Sequence, residues 1–227
     1  MSGRGRRPTQ PLLFDLEEGL YVQEEAAWRR GLQVAGVDEV GRGPLAGPVV
    51  AAAVILDARS PIEGLRDSKL LSPSQRARLA PVIRARALAW SVGKVGAARI
   101  DAENVLQATW RAMRRALGRL TVPPGLVLVD GHLRIPGLHW PQRALIQGDR
   151  RCASIAAASI LAKVARDALM VRADGRWPDY GFRRHKGYAT AAHLEALARL
   201  GPCPLHRRSF HGVGVVTVVK SRDDRLF

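Results

Sequence analysis

The hydrophobic residues of this chain fall into short apolar runs, separated by longer stretches in which apolar positions recur at helical spacing. Residues 34–40 and 49–56 are nearly unbroken apolar runs, which predicts strands buried on both faces, and residues 88–95 are a third strand candidate. A Gly-Arg-Gly-Pro turn follows the first run, so the first two are expected to form a hairpin. Residues 126–131 and 144–149 are two further apolar runs, and each carries an aspartate at or next to its end.

Helical patterns fill most of the intervals between these runs. Ser72 is the predicted N-cap of a helix whose first turn holds Pro73. The alanine-rich segment 152–167 is expected to be a helix packed closely on a sheet. Residues 1–10, rich in Gly, Arg and Pro, are expected to be mobile. Further helices are predicted at residues 14–30, 100–120 and near 191–200.

The charge of the chain is strongly positive. There are 36 Lys and Arg against 20 Asp and Glu, for a formal net charge of +16. Such an excess favours a polyanionic partner, and nucleic acid is the first candidate. Of the basic residues 31 are Arg and 5 are Lys. A G+C-rich genome would account for that preference for arginine but not for the shortage of acids.

The two cysteines indicate no disulfide framework and no zinc site. Cys152 and Cys203 are far apart and form no Cys-x-x-Cys pair. The basic start is followed by no signal-peptide pattern, and the longest apolar run, residues 49–56, is far shorter than the ~20 residues of a membrane span. We therefore expect a soluble, cytoplasmic protein that does not bind membranes and is a monomer.

Four carboxylates are the candidate chemistry of the sheet. Asp38, Asp130 and Asp149 each follow an apolar run, and Glu39 is adjacent to the first of them. Strand-terminal acids can meet at one edge of an α/β sheet, where sites are usually built. Asp38 and Glu39 would point to opposite faces, so they can share a site only if their strand ends, twists or bulges there.

Carboxylates gathered in this way would repel one another unless divalent cations neutralised them. Ligands that are all oxygen favour Mg²⁺ or Mn²⁺, and two such ions ~4 Å apart suit phosphodiester hydrolysis. The alternative is that Asp130 and Asp149 merely begin turns or cap helices. Recurrence of the pattern in one chain weakens that alternative.

The six histidines lack the spacing of a zinc site. His132, His139 and His193 are predicted to be surface or core-edge residues. His185, His206 and His211 lie among arginines, and both phosphate contact and a solvated basic face are open interpretations.

Six collinear segments between residues 34 and 211 resemble ribonuclease HII, the type 2 ribonuclease H of prokaryotes. The resemblance implies an α/β ribonuclease H-like fold, with a mixed five-stranded sheet flanked by helices and a small helical C-terminal part. It divides the chain into an N-terminal extension, residues 1–33, and a catalytic domain, residues 34–227. The matching segments are residues 35–48, Asp67-Ser68-Lys69, Val129-Asp130-Gly131, Gly148-Asp149 with the following alanine-rich helix, residues 185–188 and residues 206–210.

The resemblance also implies an activity and a set of site residues. The family's endonucleases cut the RNA strand of RNA–DNA hybrids, and cut 5′ to ribonucleotides embedded in DNA, leaving 3′-hydroxyl and 5′-phosphate ends. Two Mg²⁺ or Mn²⁺ ions are the implied cofactors. The implied catalytic and metal-binding residues are Asp38, Glu39, Asp130 and Asp149.

Substrate reading is implied for residues of two loops. Gly41, Arg42 and Gly43 would sense the ribose 2′-hydroxyl, and Tyr188 would pack on the sugar that follows. The Gly-Arg-Gly sequence favours this family over the similar ribonuclease HIII, which usually carries Gly-Lys-Gly. The remaining implied substrate-binding residues are Lys69 and Lys186.

Two other functions are alternatives to this one. A junction resolvase of the same fold lacks the Gly-Arg-Gly loop and the tyrosine, and a non-catalytic nucleic-acid-binding protein would not need an intact acid set. One segment stays outside the match: Gln10–Phe14 resembles the Gln-x-x-Leu-Phe peptide that docks on bacterial sliding clamps. The alternative is that its apolar residues staple the first helix onto the core.

Overall fold

The computed structural model describes residues 19–213, in which one mixed sheet lies between layers of helices. The strands are β1 (Val34–Val40), β2 (Val49–Leu56), β3 (Ala87–Val95), β4 (Leu126–Asp130) and β5 (Gln142–Leu145). The helices are α1 (Val22–Trp28), α2 (Pro73–Arg86), α3 (Ala97–Glu103), α4 (Val105–Leu117), α5 (Gly148–Arg151), α6 (Ala153–Arg176), α7 (Phe182–His185) and α8 (Ala191–Leu200). Short 3₁₀ turns span Ser68–Leu70 and Pro178–Tyr180.

The strand order β3-β2-β1-β4-β5 puts β1 at the centre of the sheet. The predicted hairpin of β1 and β2 is confirmed, and β3 extends it on the outer side as a third antiparallel strand. On its other side β1 pairs in parallel with β4, and β4 pairs in parallel with β5. The last parallel pair, Val37 with Val129, immediately precedes Asp38 and Asp130. This pairing brings the two aspartates side by side.

Each face of the sheet is covered by a different helix. Val37 and Ile55 belong to the core between the sheet and α4, and Met113 and Leu117 pack there from the helix. The opposite face packs against α6, whose fully buried residues are mostly alanine and isoleucine, and against α2. Because alanine is small, the α6 backbone comes close to β1 and β2. The mixed five-stranded sheet flanked by helices is therefore confirmed.

Helix α6 is longer than predicted, and a side chain of α1 accepts a hydrogen bond from its first turn. It continues to Arg176 rather than ending near residue 167. Its first turn receives a buried acceptor from a distant element, since Glu24 Oε1 accepts from Ser154 N at 2.6 Å and from Cys152 Sγ at 3.0 Å. Only residues 22–28 of the predicted helix 14–30 are helical in the described part of the chain. The division of the chain at residue 33 stays a prediction.

Two predictions of secondary structure were wrong. The single helix expected over residues 100–120 is two helices, because Asn104 has a φ of 70° and its side chain accepts from the N–H groups of Leu106 and Gln107. The strand expected over residues 144–149 ends at Leu145, and Asp149 lies in the first turn of α5. Gln147, with a φ of 54°, turns the chain out of the strand.

The other local signals were correct. Ser72 caps α2 in a reciprocal capping box with Gln75, and Pro73 occupies the first turn. Cys152 and Cys203 are both free and buried. Among residues 19–213, no helix combines the length and the apolar character needed to cross a bilayer.

The close contact of β1 with α6 generates a stability prediction. A Cβ on Gly36 would lie 2.1 Å from the Ser154 carbonyl carbon and 2.3 Å from Ile155 N, and neither backbone atom can move without shifting the helix. We expect Gly36→Ala to lower the free energy of unfolding by about 3 kcal/mol in urea denaturation. Gly175→Ala is the matched control, because nothing lies within 4 Å of its added Cβ and alanine favours a helix. Equal stability of the two variants would contradict this account of the packing.

Candidate active site

Asp38 and Glu39 lie at the end of β1 and point to opposite faces of the sheet. The strand stays regularly paired with β2 through Val40, so no bulge brings the two acids together. Asp38 is 6% exposed and faces α6, where it hydrogen-bonds to Ser159. Glu39 faces α4, and its N–H donates to Asp38 Oδ1 at 2.7 Å. Both side chains line one cleft because β1 ends at Val40, one residue after Glu39. The sequence required the strand to end, twist or bulge at this point, and it ends.

Asp130 approaches this pair from β4, and a tight turn carries Asp149 to its other side. Asp130 Oδ1 accepts from Gly148 N at 2.7 Å. A side chain at Gly148 would be 2.6 Å from Ile155 Cδ1 and 3.2 Å from that carboxylate oxygen, so glycine permits the contact. Asp149, which is buried, therefore reaches the group from a helical turn rather than from a strand end.

The electrostatics show that these acids share one region. Burial raises the pKa of Asp38 well above its ordinary value, and the charges of Glu39 and Asp130 raise it further. Burial also raises the pKa of Glu39, an effect that Arg42 opposes and Asp130 reinforces. Raised carboxylate pKa values mean that the site holds too little positive charge for its acids.

Lysine 69 supplies part of that positive charge at the far side of the group. Burial raises the pKa of Asp149, with Lys69 opposing the rise and Asp130 adding to it. The Lys69 ammonium lies 3.1 Å from Asp149 Oδ2 and 3.8 Å from Asp67 Oδ1. Asp67 also accepts from Lys69 N at 2.9 Å and from Arg150 Nε at 3.1 Å. The Asp-Ser-Lys segment is thus tied to the turn that carries Asp149.

A cleft of about 370 Å³ opens in front of the acids. It contains residues that sequence reasoning had missed, namely Ser68, Arg76, Ser159 and Lys163. The last two lie four residues apart on α6, so they share a helix face, but an alanine-rich helix gave no sign that this face would meet the acids. The cleft is lined by Asp38, Glu39, Val40, Gly41, Arg42, Ser68, Lys69, Arg76, Asp130, Ser159, Lys163 and Tyr188.

The Gly-Arg-Gly loop forms one wall of the cleft and rests on a buried arginine. Arg207 is fully buried, and its guanidinium donates to the carbonyls of Gly41, Arg42 and Gly47 at 2.5–3.0 Å. Gly41 has a φ of 90°, and an added Cβ would lie 2.2 Å from Arg166 Nε. Arg42 itself turns outward and pairs with Glu39 Oε1 at 3.4 Å.

Tyr188 also lines the cleft, and it lies beside the Gly-Arg-Gly loop, because Arg166 approaches both Tyr188 and Gly41. Lys186 is not among the cleft residues. The Tyr188 ring is 43% exposed, and the Arg166 guanidinium carbon lies 5.8 Å from its centroid. The Lys186 ammonium donates to the carbonyl of Arg183, within its own turn. Lys186 therefore contributes to the shape of the Tyr188 loop, and its predicted contact with substrate stays a prediction.

The interpretation of the histidines was wrong for two of them. His193 and His206 are buried, 0% and 2% exposed, so neither is a surface residue or a contact for phosphate. They bond to each other below the Tyr188 loop. No pattern in the sequence indicates this contact, because it joins two segments that fold together only in the tertiary structure.

The donor set fits a hard divalent cation. Its side chains are all carboxylates, and their mutual repulsion is relieved in part by the ammonium of Lys69 and the guanidinium of Arg42. Within residues 19–213, no three His, Cys, Asp or Glu side chains are already drawn together as a closed metal cluster. A cation would therefore have to draw the carboxylates inward from their present contacts.

Comparison with known proteins gives one consistent result. The family model described as Ribonuclease HII matches residues 35–213. The ribonuclease HII of Syntrophotalea carbinolica is 55% identical over 194 residues, which are 86% of this chain and 92% of that protein.

Solved structures agree with this match. The ribonuclease H2 of Pyrococcus horikoshii is 27% identical with a TM-score of 0.70, over 82% of this chain and 97% of that one. A structure of a PCNA:RNase HII complex from Archaeoglobus fulgidus gives 28% identity and a TM-score of 0.67, over 79% of this chain and 96% of that one.

The raised carboxylate pKa values predict a variant that gains stability. Because the folded state disfavours ionised Asp38, this group lowers stability at neutral pH. The effect fades as the pH falls toward the ordinary aspartate value of about 4. With EDTA present, Asp38→Asn is expected to raise the melting temperature at pH 7, and the gain should shrink toward pH 4.

Asp67→Asn is the control of opposite sign. Burial alone would raise the pKa of Asp67, but hydrogen bonds from Lys69 N and Arg150 outweigh burial and lower it. Its ionised form therefore adds stability above the ordinary pKa, and this is lost as the pH falls through the lowered value. Asp67→Asn should lower the melting temperature at pH 7. A loss of stability in Asp38→Asn would mean that neither burial nor the neighbouring charges disfavour ionised Asp38 in the folded state.

Proposed function

The chain belongs to the ribonuclease HII family and is a ribonuclease H, and we propose that it cuts both the RNA strand of RNA–DNA hybrids and the 5′ side of single ribonucleotides embedded in duplex DNA. The observation that carries this proposal is the position of the acids. Asp38, Glu39 and Asp130 line one cleft, together with Gly41, Arg42 and Tyr188. A reacting phosphodiester at the acids would therefore lie beside two loops that can read the neighbouring sugars.

We further propose that Asp38, Glu39, Asp130 and Asp149 hold Mg²⁺ or Mn²⁺, two ions during catalysis. When bound, such ions supply Lewis acidity toward the phosphodiester and lower the pKa of the attacking water. The raised pKa values of Asp38, Glu39 and Asp149 support the proposal, because a site built for cations is short of positive charge without them. Cleavage would leave 3′-hydroxyl and 5′-phosphate ends.

The loop of Gly41, Arg42 and Gly43 is suited to reading a ribose. Nothing lies within 4 Å of the position that a Cβ would take on Gly43, so a sugar can approach the backbone there. Arg207 holds the carbonyls of the loop from below, so the polar groups left on its outer side belong to Arg42 and the backbone amides. A 2′-hydroxyl both donates and accepts hydrogen bonds, which is what such a surface can distinguish from deoxyribose.

Cations around the cleft are placed for the substrate backbone. Arg42 and Lys69 have half or more of their side chains exposed at its edge. Lys163 and Arg76 line the same cleft. Contacts of this kind add affinity that depends on salt but not on sequence, whereas the sugar-reading loops set the position of the cut.

Tyr188 is proposed to pack on the sugar that follows the ribonucleotide. Its exposed ring lines the same cleft as the acids, and the Arg166 guanidinium carbon lies 5.8 Å from the ring centroid. A ring against the sugar leaves no room for a 2′-hydroxyl, so deoxyribose would be preferred at that position. This preference would allow cutting at a single ribonucleotide.

One assay tests the activity and the acids together. End-labelled duplexes with no, one or four ribonucleotides are incubated with Mg²⁺ or Mn²⁺, and cut positions are read on a sequencing gel. We expect Asp130→Asn to lose on the order of 10³-fold in cleavage rate while duplex affinity stays within about threefold, because the basic surface is intact. Glu25→Gln, at an exposed acid of α1 outside the cleft, is the control. Cleavage by Asp130→Asn at the parent rate would exclude these acids as the catalytic group.

We also propose that Gln10–Phe14 docks on a sliding clamp. This segment lies outside the described residues, and support comes from its sequence and from the Archaeoglobus fulgidus relative, whose structure is titled as a complex with PCNA. Two adjacent apolar residues suit a hydrophobic pocket on a partner.

The double variant Leu13→Ala with Phe14→Ala should weaken binding to the clamp of the same organism by about tenfold or more, as loss of anchor residues does. Binding is measured by surface plasmon resonance, and melting temperature is measured alongside it. Pro8→Ala with Thr9→Ala is the control in the same segment. If the parent shows no clamp binding, or the double variant binds equally well, the segment does not dock.

A further inference from the structure

Three histidines form a stack beneath the loop that carries Tyr188. The rings of His185 and His193 are stacked with centroids 4.3 Å apart, and the rings of His193 and His206 are 5.2 Å apart. The buried ring of Phe182 lies 5.6–5.9 Å from all three imidazole rings. None of the three lines the cleft of acids.

The nitrogens of these rings form a directed chain of hydrogen bonds. Cys203 N donates to His206 Nδ1 at 3.0 Å, so this nitrogen is an acceptor and the proton of His206 is on Nε2. His206 Nε2 then donates to His193 Nε2 at 3.0 Å. The remaining proton of His193 is therefore on Nδ1, which donates to the carbonyl oxygen of Tyr188 at 2.9 Å.

His185, beside this chain of hydrogen bonds, also has one nitrogen that accepts and one that donates. Its Nδ1 accepts from Gly187 N at 3.1 Å, and its Nε2 donates to the carbonyl of Tyr180 at 2.7 Å. All six ring nitrogens are therefore paired when the three rings are neutral. A second proton on any of these rings would point at a hydrogen-bond donor. That donor is Gly187 N for His185, the Nε2–H of His206 for His193, and Cys203 N for His206.

The pKa values agree with neutral rings in the two buried histidines. Burial lowers the pKa of His193, and burial together with the charge of His193 lowers that of His206 to about 4. The other titratable or charged groups that influence the pair are His185 and Arg208, which also disfavour a positive charge there. Tyr180 packs against His206.

The chain of hydrogen bonds ends at the backbone of Tyr188. The carbonyl of Tyr188 accepts from Thr190 N at 2.8 Å as well as from His193, and Tyr188 N donates to the carbonyl of His185 at 3.0 Å. Gly187 is fixed on its other side, since its carbonyl accepts from Leu45 N and Ala46 N. The backbone beneath the exposed ring is thus held at both peptide groups. Within residues 19–213, the ring contact is with the Arg166 guanidinium, whose carbon lies 5.8 Å from the ring centroid.

We propose that the chain from His206 through His193 to the Tyr188 carbonyl positions the Tyr188 ring over the cleft, which makes His193 and His206 positioning residues for cutting at single ribonucleotides. The inference rests on the proposed role of Tyr188. Errors of about 1 Å in a group that orients substrate can lower rates strongly. The hydrogen-bond chain touches neither the acids nor the basic residues at the edge of the cleft. Its loss should therefore leave the hydrolysis step and the affinity for duplex unchanged.

Two variants of similar size separate the hydrogen bond from the packing. In His193→Asn the side-chain amide can replace Nδ1 as donor to Tyr188, and in His193→Leu no donor remains. We expect His193→Leu to lower kcat/KM at a single embedded ribonucleotide about tenfold, and at four ribonucleotides less than about threefold, with His193→Asn near the parent. Duplex affinity should not change. Equal behaviour of the two variants would overturn the inference.

The control for general loosening of α8 is Thr190→Val. Thr190 caps this helix by accepting from His193 N, so its loss destabilises the same element while leaving the imidazole chain intact. Its ratio of cleavage on the two substrates should match the parent. If Thr190→Val shifts that ratio as His193→Leu does, the effect is instability and not positioning.

A second position and a spectrum complete the test. His206→Gln keeps a donor to His193 and His206→Met does not, so the pair answers the question if the His193 variants fail to fold. Nitrogen-15 spectra of labelled histidine at pH 7 should show His193 protonated on Nδ1 and His206 on Nε2, and an imidazolium at either would overturn the inference. Tyr188→Ala provides the reference. If this variant does not lose cleavage selectively at the single ribonucleotide, the proposed role of Tyr188 fails. If it does, and the His193 variants have no effect, only the proposed role of the hydrogen-bond chain is refuted.

Discussion

The repulsion between buried carboxylates at the ends of β1 and β4 is the constraint on which the rest of the site depends. Parallel pairing stops at Val37 and Val129, so the next residue on each strand is an aspartate with no freedom to move away from the other. A protein of net charge +16 could surround these acids with arginine, yet the described contacts near them are limited to Lys69 and Arg42 at the edge. Burial raises the pKa values of Asp38 and Glu39, and the charge of Asp130 raises both further, which is unfavourable for folding and favourable for capturing a cation.

The same region contains the opposite arrangement at Asp67. That carboxylate is as buried as Asp38, but it accepts from Lys69 N and Arg150 and its pKa is lowered. Its contacts join the 3₁₀ turn before α2 to the turn of α5, so they fix the place of Asp149 without adding an unpaired charge. One buried acid thus stabilises the scaffold, while the neighbouring Asp38 keeps a raised pKa.

Local signals in the sequence predicted the elements well, and long-range contacts account for what they missed. The β1–β2 hairpin and the Ser72 cap follow from patterns within a few residues, so both were correct. The left-handed residues Asn104 and Gln147 are not glycines, and each ends an element where propensity alone would continue it. Gln147 is the reason that Asp149 reaches the site from a helix.

The acids of the site could be proposed from the sequence because their strands are adjacent in the sheet. The residues that support the two loops could not. Arg207 holds carbonyls more than 150 positions earlier in the chain, and His193 meets His206 only after α8 has packed. An arginine-rich segment predicts a solvated basic face far more readily than a buried guanidinium, and the sequence contains nothing that separates Arg207 from its neighbour Arg208.

The contrast between buried and exposed basic groups has a physical reason. Burial lowers the pKa of Arg207 to about 9, and its bonds to backbone carbonyls offset the loss of hydration, so one charge is kept where a loop needs several donors. The backbone of Tyr188 is held differently, by uncharged groups. Neutral imidazoles supply donors and acceptors there without charge, and each ring can bond on both sides. The polypeptide therefore combines exposed positive charge at the edge of the cleft with neutral hydrogen bonds beneath the tyrosine that is proposed to pack on the sugar.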